Sequence, residues 1–169
     1  MKKIQTKQII SLILVIIWMI VVFIYSSQNG DESKNTSRKT AGKIIDGIEI
    51  KSELSQEHKE KLVDRLDPLI RKFAHYTIYL MGGILIINFF NTLKMKLNRM
   101  LLYSIAFGLI YASSDEIHQF FVFGRSAQIT DVLIDTLGVA TGAVIFITAQ
   151  EISKKIKKQH GEYHSCQCN

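Results

Sequence analysis

The sequence predicts an all-α, polytopic membrane protein: a four-transmembrane-helix bundle with an extracytoplasmic amphipathic helical segment, built as one domain over residues 1–169. Three observations carry this. Apolar residues make up 47% of the chain and are gathered into long blocks, where a soluble domain would disperse them periodically. Those blocks hold few turn residues and the chain has a single proline, which favours helices. The net charge of +6 comes from basic residues that flank the blocks, the pattern that topology selection produces in membranes, so no nucleic-acid partner is implied. Cys166 and Cys168 are the only cysteines, both in the last few residues, so no disulfide framework is implied.

The first span is expected at 9–25. Ile9 to Tyr25 carries no charge and holds Trp18 near its middle. A bilayer crossing takes about 20 apolar residues, with roughly 17 the lower end. Lys2, Lys3 and Lys7 precede the run as they would in a cleaved leader. The run is longer than a leader's apolar core, however, and no Ala-x-Ala-like site follows it. It reads as a retained span with Ser26, Ser27 and Gln28 at its outer mouth.

Residues 29–70 form a polar outer loop of mixed sign. Ala41, Ile44, Ile45 and Ile48 recur at helical spacing, and Ser55 is a fitting N-cap for a second stretch carrying Leu62, Leu66, Leu69 and Ile70. Both are amphipathic, which predicts a helical cap lying on the membrane surface. Pro68 is expected to bend the chain just before the next span.

The second span, 73–90, is entered through Arg71 and Lys72 and contains His75, Tyr79, Gly82 and Gly83. A short loop with Lys94, Lys96 and Arg99 leads to the third span, 100–118, which ends in Asp115, Glu116, His118 and Gln119. The fourth, 129–148, contains Asp131 and Asp135. A basic tail, 150–169, carries Lys154, Lys155, Lys157 and Lys158; its His160, His164, Cys166 and Cys168 read as part of a disordered tail rather than a metal site. Four spans place both termini on one side. The N-terminus, the 92–99 loop and the tail are all basic, so that side is cytoplasmic and the protein sits in the cell membrane.

This topology brings nearly all the intramembrane polar groups to one depth on the outer face. Charges there are costly unless paired or wetted, so the cluster is read as a functional site. Arg71, His75 and Tyr79 are four apart and share a helix side. Asp115, His118 and Gln119 share a face, while Glu116 points elsewhere. Asp131, Asp135, Gly138 and Gly142 form one stripe whose small-xxx-small pair is expected to pack on Gly108 and Ala112 of the third span, turning both aspartates inward. Gly82 and Gly83 are expected to permit close helix contact, and Tyr103, Phe107 and Tyr111 to be packing or lipid-facing residues.

The ordered motifs resemble the VanZ-like family. They are Ser26-Ser27-Gln28, then Arg71-Lys72-Phe-Ala-His75-Tyr76 with Tyr79, then Asp115-Glu116-x-His118-Gln119-x-Phe121 with Gly124-Arg125, then Asp131 and Gly138-xxx-Gly142. The likeness runs from about residue 9 to 148. Two positions depart from the pattern: Phe123 stands where a proline often precedes Gly-Arg, and Asp135 where Asn is common. The resemblance implies a small multi-helix membrane protein with a cell-envelope role, associated with susceptibility to teicoplanin-type glycopeptides. It carries no molecular activity with it.

Three chemistries fit the cluster. His75, Glu116, His118, Asp131 and Asp135 are sensible ligands for a divalent ion, but no HExxH or paired HxH spacing supports them, and an interhelical hydrogen-bond network is the simpler reading. His75 oriented by a carboxylate such as Asp115 suits acid–base work, against simple pairing of Arg71, Lys72 and Arg125 with the acids. Arg71 and Arg125 offer planar forks for an anion, and Lys72 adds a point charge. Walls of Phe120, Phe121 and Phe123 would suit an amphiphile with an anionic head, such as a lipid-linked wall precursor. The candidate catalytic residues are thus His75, Asp115, Glu116, His118 and Asp131. The candidate substrate-binding residues are Arg71, Lys72, Tyr79, Gln119, Arg125, Asp135, Ser27 and Gln28. No metal ligand set is assigned, no cofactor is named, and the partners implied are the lipid bilayer and that precursor.

Overall fold

The computed structural model describes residues 5–48 and 55–166, the side chains of 48 and 160–166 excepted. Lys2, Lys3 and Cys168, and the side chains of His160, His164 and Cys166, therefore lie outside the described residues. The described residues form an all-α chain: α1 (Thr6–Ser26), α2 (Gly30–Ile48), α3 (Gln56–Thr92), α4 (Leu97–Phe120) and α5 (Ile129–Cys166). By length and composition α1, α3 and α5 can each cross a membrane. α4, expected as the third span, falls short of that composition. Its inward face is spent on Ser104, Gly108, Ala112, Asp115 and Gln119 rather than on large apolar side chains.

The core is apolar, with Val15, Val22, Ile86, Ile87 and Val139 buried, but the outward faces are apolar too and some polar residues turn inward, as lipid-facing helices require. α1 exposes Ile9, Ile13, Ile17 and Ile24 while burying Ser11, Trp18 and Ser26. Lipid is as apolar as leucine, so helices adhere by close contact and polar bonds instead. Ser11 accepts a hydrogen bond from Asn88 (3.2 Å), and Tyr111 donates to the Met19 carbonyl (2.6 Å).

α3 and α5 are the packing axis, and they run parallel. Gly138 lies on the backbone of Tyr76 and Leu80, Gly142 on that of Leu80 and Ile84, and Gly83 on Val139. The glycine stripe of α5 thus packs on α3, not on Gly108 and Ala112 of α4 as expected. Gly108 instead receives the Val139 side chain. α3 is the helix whose backbone comes near enough to need both glycines. α1 lies antiparallel to α3, with Gln8 near Thr92 and Trp18 near Ile78. α4 runs antiparallel to α5: Met100 clusters with Ile87 and Ala143 at one end, and Asp115 approaches Asp135 at the other.

Two boundaries differ from expectation. The helix starting after Ser55 continues through Pro68 to Thr92, so the amphipathic stretch and the second span are one element of 37 residues. At 1.5 Å per residue that is about 55 Å, well beyond a hydrocarbon core of about 30 Å. The Pro68 ring costs one backbone bond, which neighbouring contacts can offset. Here α2 lies alongside: Ser37 bonds the buried Asp67, and Arg38 pairs with Asp64. On α2 the inward stripe is Ser37, Ala41 and Ile45, while Ile44 is exposed. At the far end α5 does not stop near 148. The basic stretch, expected to be a disordered tail, continues the helix to Cys166 with Lys154 paired to Glu151.

Candidate functional site

The loop 121–128 turns at Gly124, whose φ of 76° is left-handed and suits glycine. Gly30 at the start of α2 lies directly on the Gly124 backbone, and its N–H donates to the Phe123 carbonyl (3.1 Å). The loop is thereby clasped to α2 at the end of the bundle where α3, α4 and α5 bring their charged residues.

Between these elements lies a cavity of about 490 Å³. Its cations are Lys34, Arg38, Arg71, Lys72 and Arg125. Lys72 pairs with Asp131 (2.6 Å) and Arg38 with Asp64. Arg71 and Arg125 form no ion pair among the described residues. Arg125 donates to Gln119 (2.9 Å), and Gln119 donates to Asp115 (3.0 Å), so a fixed relay of hydrogen bonds aims the guanidinium. Burial, and then Arg71 beside it, pull the Arg125 pKa below the usual arginine value, opposed by Asp115 and Glu116. The guanidinium stays charged, held where an anion would relieve it.

Arg71, His75 and Arg125 also line a second cavity of about 450 Å³, walled by Val22, Tyr25, Ile70 and Ile78. A charged chamber and an apolar groove therefore adjoin across three shared residues.

His75, Asp115 and Asp135 converge from α3, α4 and α5, with one ligand atom from each lying within 4.8 Å of the others. Asp135 is 0% exposed, and His75 Nδ1 stands 3.8 Å from its Oδ2. Tyr79, one turn along α3 from His75, is also fully buried, and its hydroxyl has no hydrogen-bond partner among the described residues.

The other residues singled out from the sequence go elsewhere. His118 turns to α1, stacking on Phe23 (4.6 Å) and bonding Ser27 (3.1 Å), so it does not share a face with Asp115 and Gln119. Two residues separated by three positions on a helix diverge enough to meet different neighbours. Glu116 points away, as expected, and accepts the Gln128 N–H (2.9 Å). Asp131 sits at the cavity rim with Lys72, and Gln28 lines the apolar groove. Of the divalent-ion ligands considered, only His75 and Asp135 meet, and Asp115 completes the group. Of the expected ion pairs, Lys72–Asp131 forms. Phe120, Phe121 and Phe123 do not wall either cavity; Phe123 is 81% exposed and points away from the bundle.

Lys34 and Arg38 of α2 and Asp67 of α3 also line the charged cavity; the sequence did not single them out, because in a segment of mixed sign helical periodicity does not tell which charges turn inward. The one signal in the sequence is Ser37, four residues before Ala41 and so on the same helix face as Ala41 and Ile45; its partner Asp67 is visible only in the structure.

No curated protein and no solved structure matches this chain. A family model described as VanZ/LLP1 matches residues 11–150, a stretch that holds every element of the site from Ser11 to the end of the apolar part of α5. With three helices apolar enough to cross a bilayer and that match over most of its length, the chain is a membrane protein that belongs to the VanZ/LLP1 family.

Proposed function

We propose that this protein is a four-span envelope protein, with both termini cytoplasmic, that binds an anionic-headed amphiphile of the outer leaflet and thereby affects susceptibility to teicoplanin-type glycopeptides. The observation that carries the reading is the pair of adjoining cavities. The charged one offers Arg71 and Arg125 without ion-pair partners, and the apolar one begins at the same two arginines. A phosphate or carboxylate head would take the planar forks, and its chain would lie along Val22 and Ile78. Lipid-linked wall precursors have this chemistry.

The four-span arrangement is supported by α4 itself. It runs beside α5 from Met100 at one end to Asp115 at the other, and exposes Leu102, Leu109, Ile110 and Ile117 outward. A helix covering the same depth as α5 crosses the same slab. The basic segments then all fall on one side, which the positive-inside rule makes cytoplasmic, and α2 becomes a cap over the outer end.

The test uses the full chain in nanodiscs with a polyprenyl phosphate as probe, read by native mass spectrometry, alongside teicoplanin susceptibility of cells expressing it. Arg125→Ala and Arg71→Ala should each weaken lipid binding by about tenfold or more, since a charge-assisted hydrogen bond contributes roughly 1.5–3 kcal/mol, and should abolish any glycopeptide phenotype. Binding that survives both substitutions unchanged removes the proposal.

A further inference from the structure

We infer that His75, Asp115 and Asp135 form a binding site for a divalent transition cation, zinc or manganese, at the inner wall of the charged cavity. The three side chains arrive from three different helices, and their ligand atoms already lie within 4.8 Å of one another. Donors bonded to one ion at about 2.0–2.2 Å sit roughly 3–3.6 Å apart, so small side-chain rotations would close the three around a cation.

The second observation is polar atoms left without partners. Asp135 is 0% exposed, and among the described residues neither of its carboxylate oxygens has a hydrogen-bond partner; nor does His75 Nδ1. The 3.8 Å between Asp135 Oδ2 and His75 Nδ1 is too long for a hydrogen bond. Buried carboxylates without partners are costly, and more so within the span of a membrane helix. Asp115 and Asp135 together bring two negative charges to a place where no lysine or arginine lies in ion-pair range of either among the described residues. A neutral imidazole adds none, so a divalent cation balances the group.

Donor chemistry narrows the ion. One imidazole nitrogen and two carboxylate oxygens, with no thiolate, suit zinc or manganese over copper(I); the nitrogen disfavours magnesium and calcium. Gln119 holds Asp115 in place (3.0 Å) and Arg125 holds Gln119, which is how residues around a metal ligand fix its orientation. Three protein donors leave a coordination position open, and His75 and Asp135 both line the cavity. The site does not depend on what amphiphile, if any, fills that cavity. Should the preceding reading hold as well, the open position would face the same anionic head as Arg71 and Arg125.

The experiment measures metal directly. Full-length protein carrying Cys166→Ser and Cys168→Ser is purified in detergent, stripped with a chelator, incubated with zinc or manganese salts and desalted. Metal content is then read by inductively coupled plasma mass spectrometry and affinity by isothermal titration. An equimolar amount of one of the two ions should be retained, and its addition should raise the unfolding temperature. Asp135→Asn and His75→Ala should each lower affinity by at least about tenfold, the smaller end of what even indirect changes around a metal cost. Glu57→Gln, an exposed carboxylate on the same helix as His75 but outside the cavity, should retain the ion. Asp135→Asn removes a buried charge, so misfolding does not confound that arm. Failure of the parent protein to retain either ion, which would mean that a plain His75–Asp135 ion pair is the whole structure, overturns the inference. So does retention that both substitutions leave unchanged. Loss of lipid binding with metal retained, or the reverse, separates this site from the amphiphile reading.

Discussion

Trp18 shows how a single absent side chain organises its surroundings. Its indole lies where a Cβ on Gly82 would be, and its N–H donates to the Ile78 carbonyl (2.9 Å) one turn earlier on α3. Tyr79 and Tyr111 pack against the same ring, at 5.6 and 5.1 Å. Gly82→Ala should therefore expel the indole from its seat. Overpacking of this sort costs about 1–3 kcal/mol, to be read as a lowered unfolding temperature in detergent. Because Trp18 is the only tryptophan and is 5% exposed in mid-span, its emission should be quenched more strongly by brominated lipid or detergent chains in the same variant. The sequence showed that Gly82 and Gly83 would permit contact. It did not show with what, because the indole comes from sixty-odd residues away and helical periodicity says nothing about partners.

The α3–α5 pair is the element on which the site depends. Gly142 faces the Leu80 carbonyl so closely that any side chain must push the helices apart. Gly142→Val should leave the protein unable to fold around the His75–Asp135 approach, seen as aggregation on size exclusion and loss of protease resistance. The α2–α3 contact is more forgiving. Ala41 is fully buried against the bundle, and Ala41→Leu should lift α2 alone. Hydrogen exchange should rise across Gly30–Ile48 while α1, α4 and the apolar part of α5 keep their protection. The helical stretch around Ala41 and Ile45 was readable from periodicity, as was the start after Ser55. The continuity of α3 through Pro68 was not, because local rules make proline a helix breaker and only the packing of α2 alongside overrides them.

At the scale of the molecule, orientation is the testable property. The native cysteines at 166 and 168 both follow the lysine-rich end of α5. If the positive-inside rule sets the topology, a membrane-impermeant maleimide should label them only after the cells are permeabilised. A cysteine introduced at Thr36 in a Cys166→Ser, Cys168→Ser background should label in intact cells. Reversal of both patterns would move the charged cavity to the cytoplasmic side and end the outer-leaflet reading.

Hydropathy blocks and basic flanks were enough to predict helices, membrane residence and the gathering of Arg71, His75, Asp115 and Asp135 at one end, because those depend on transfer energies and on topology along the chain. Which of the clustered residues touch was decided by packing: His118 went to Phe23, the α5 glycines to α3, and the phenylalanines of the 121–128 turn outward. Rotation of one helix against another is governed by close contacts between distant segments. Residues a turn apart in sequence are indistinguishable until those contacts exist, and so the His75–Asp115–Asp135 group became visible only in three dimensions.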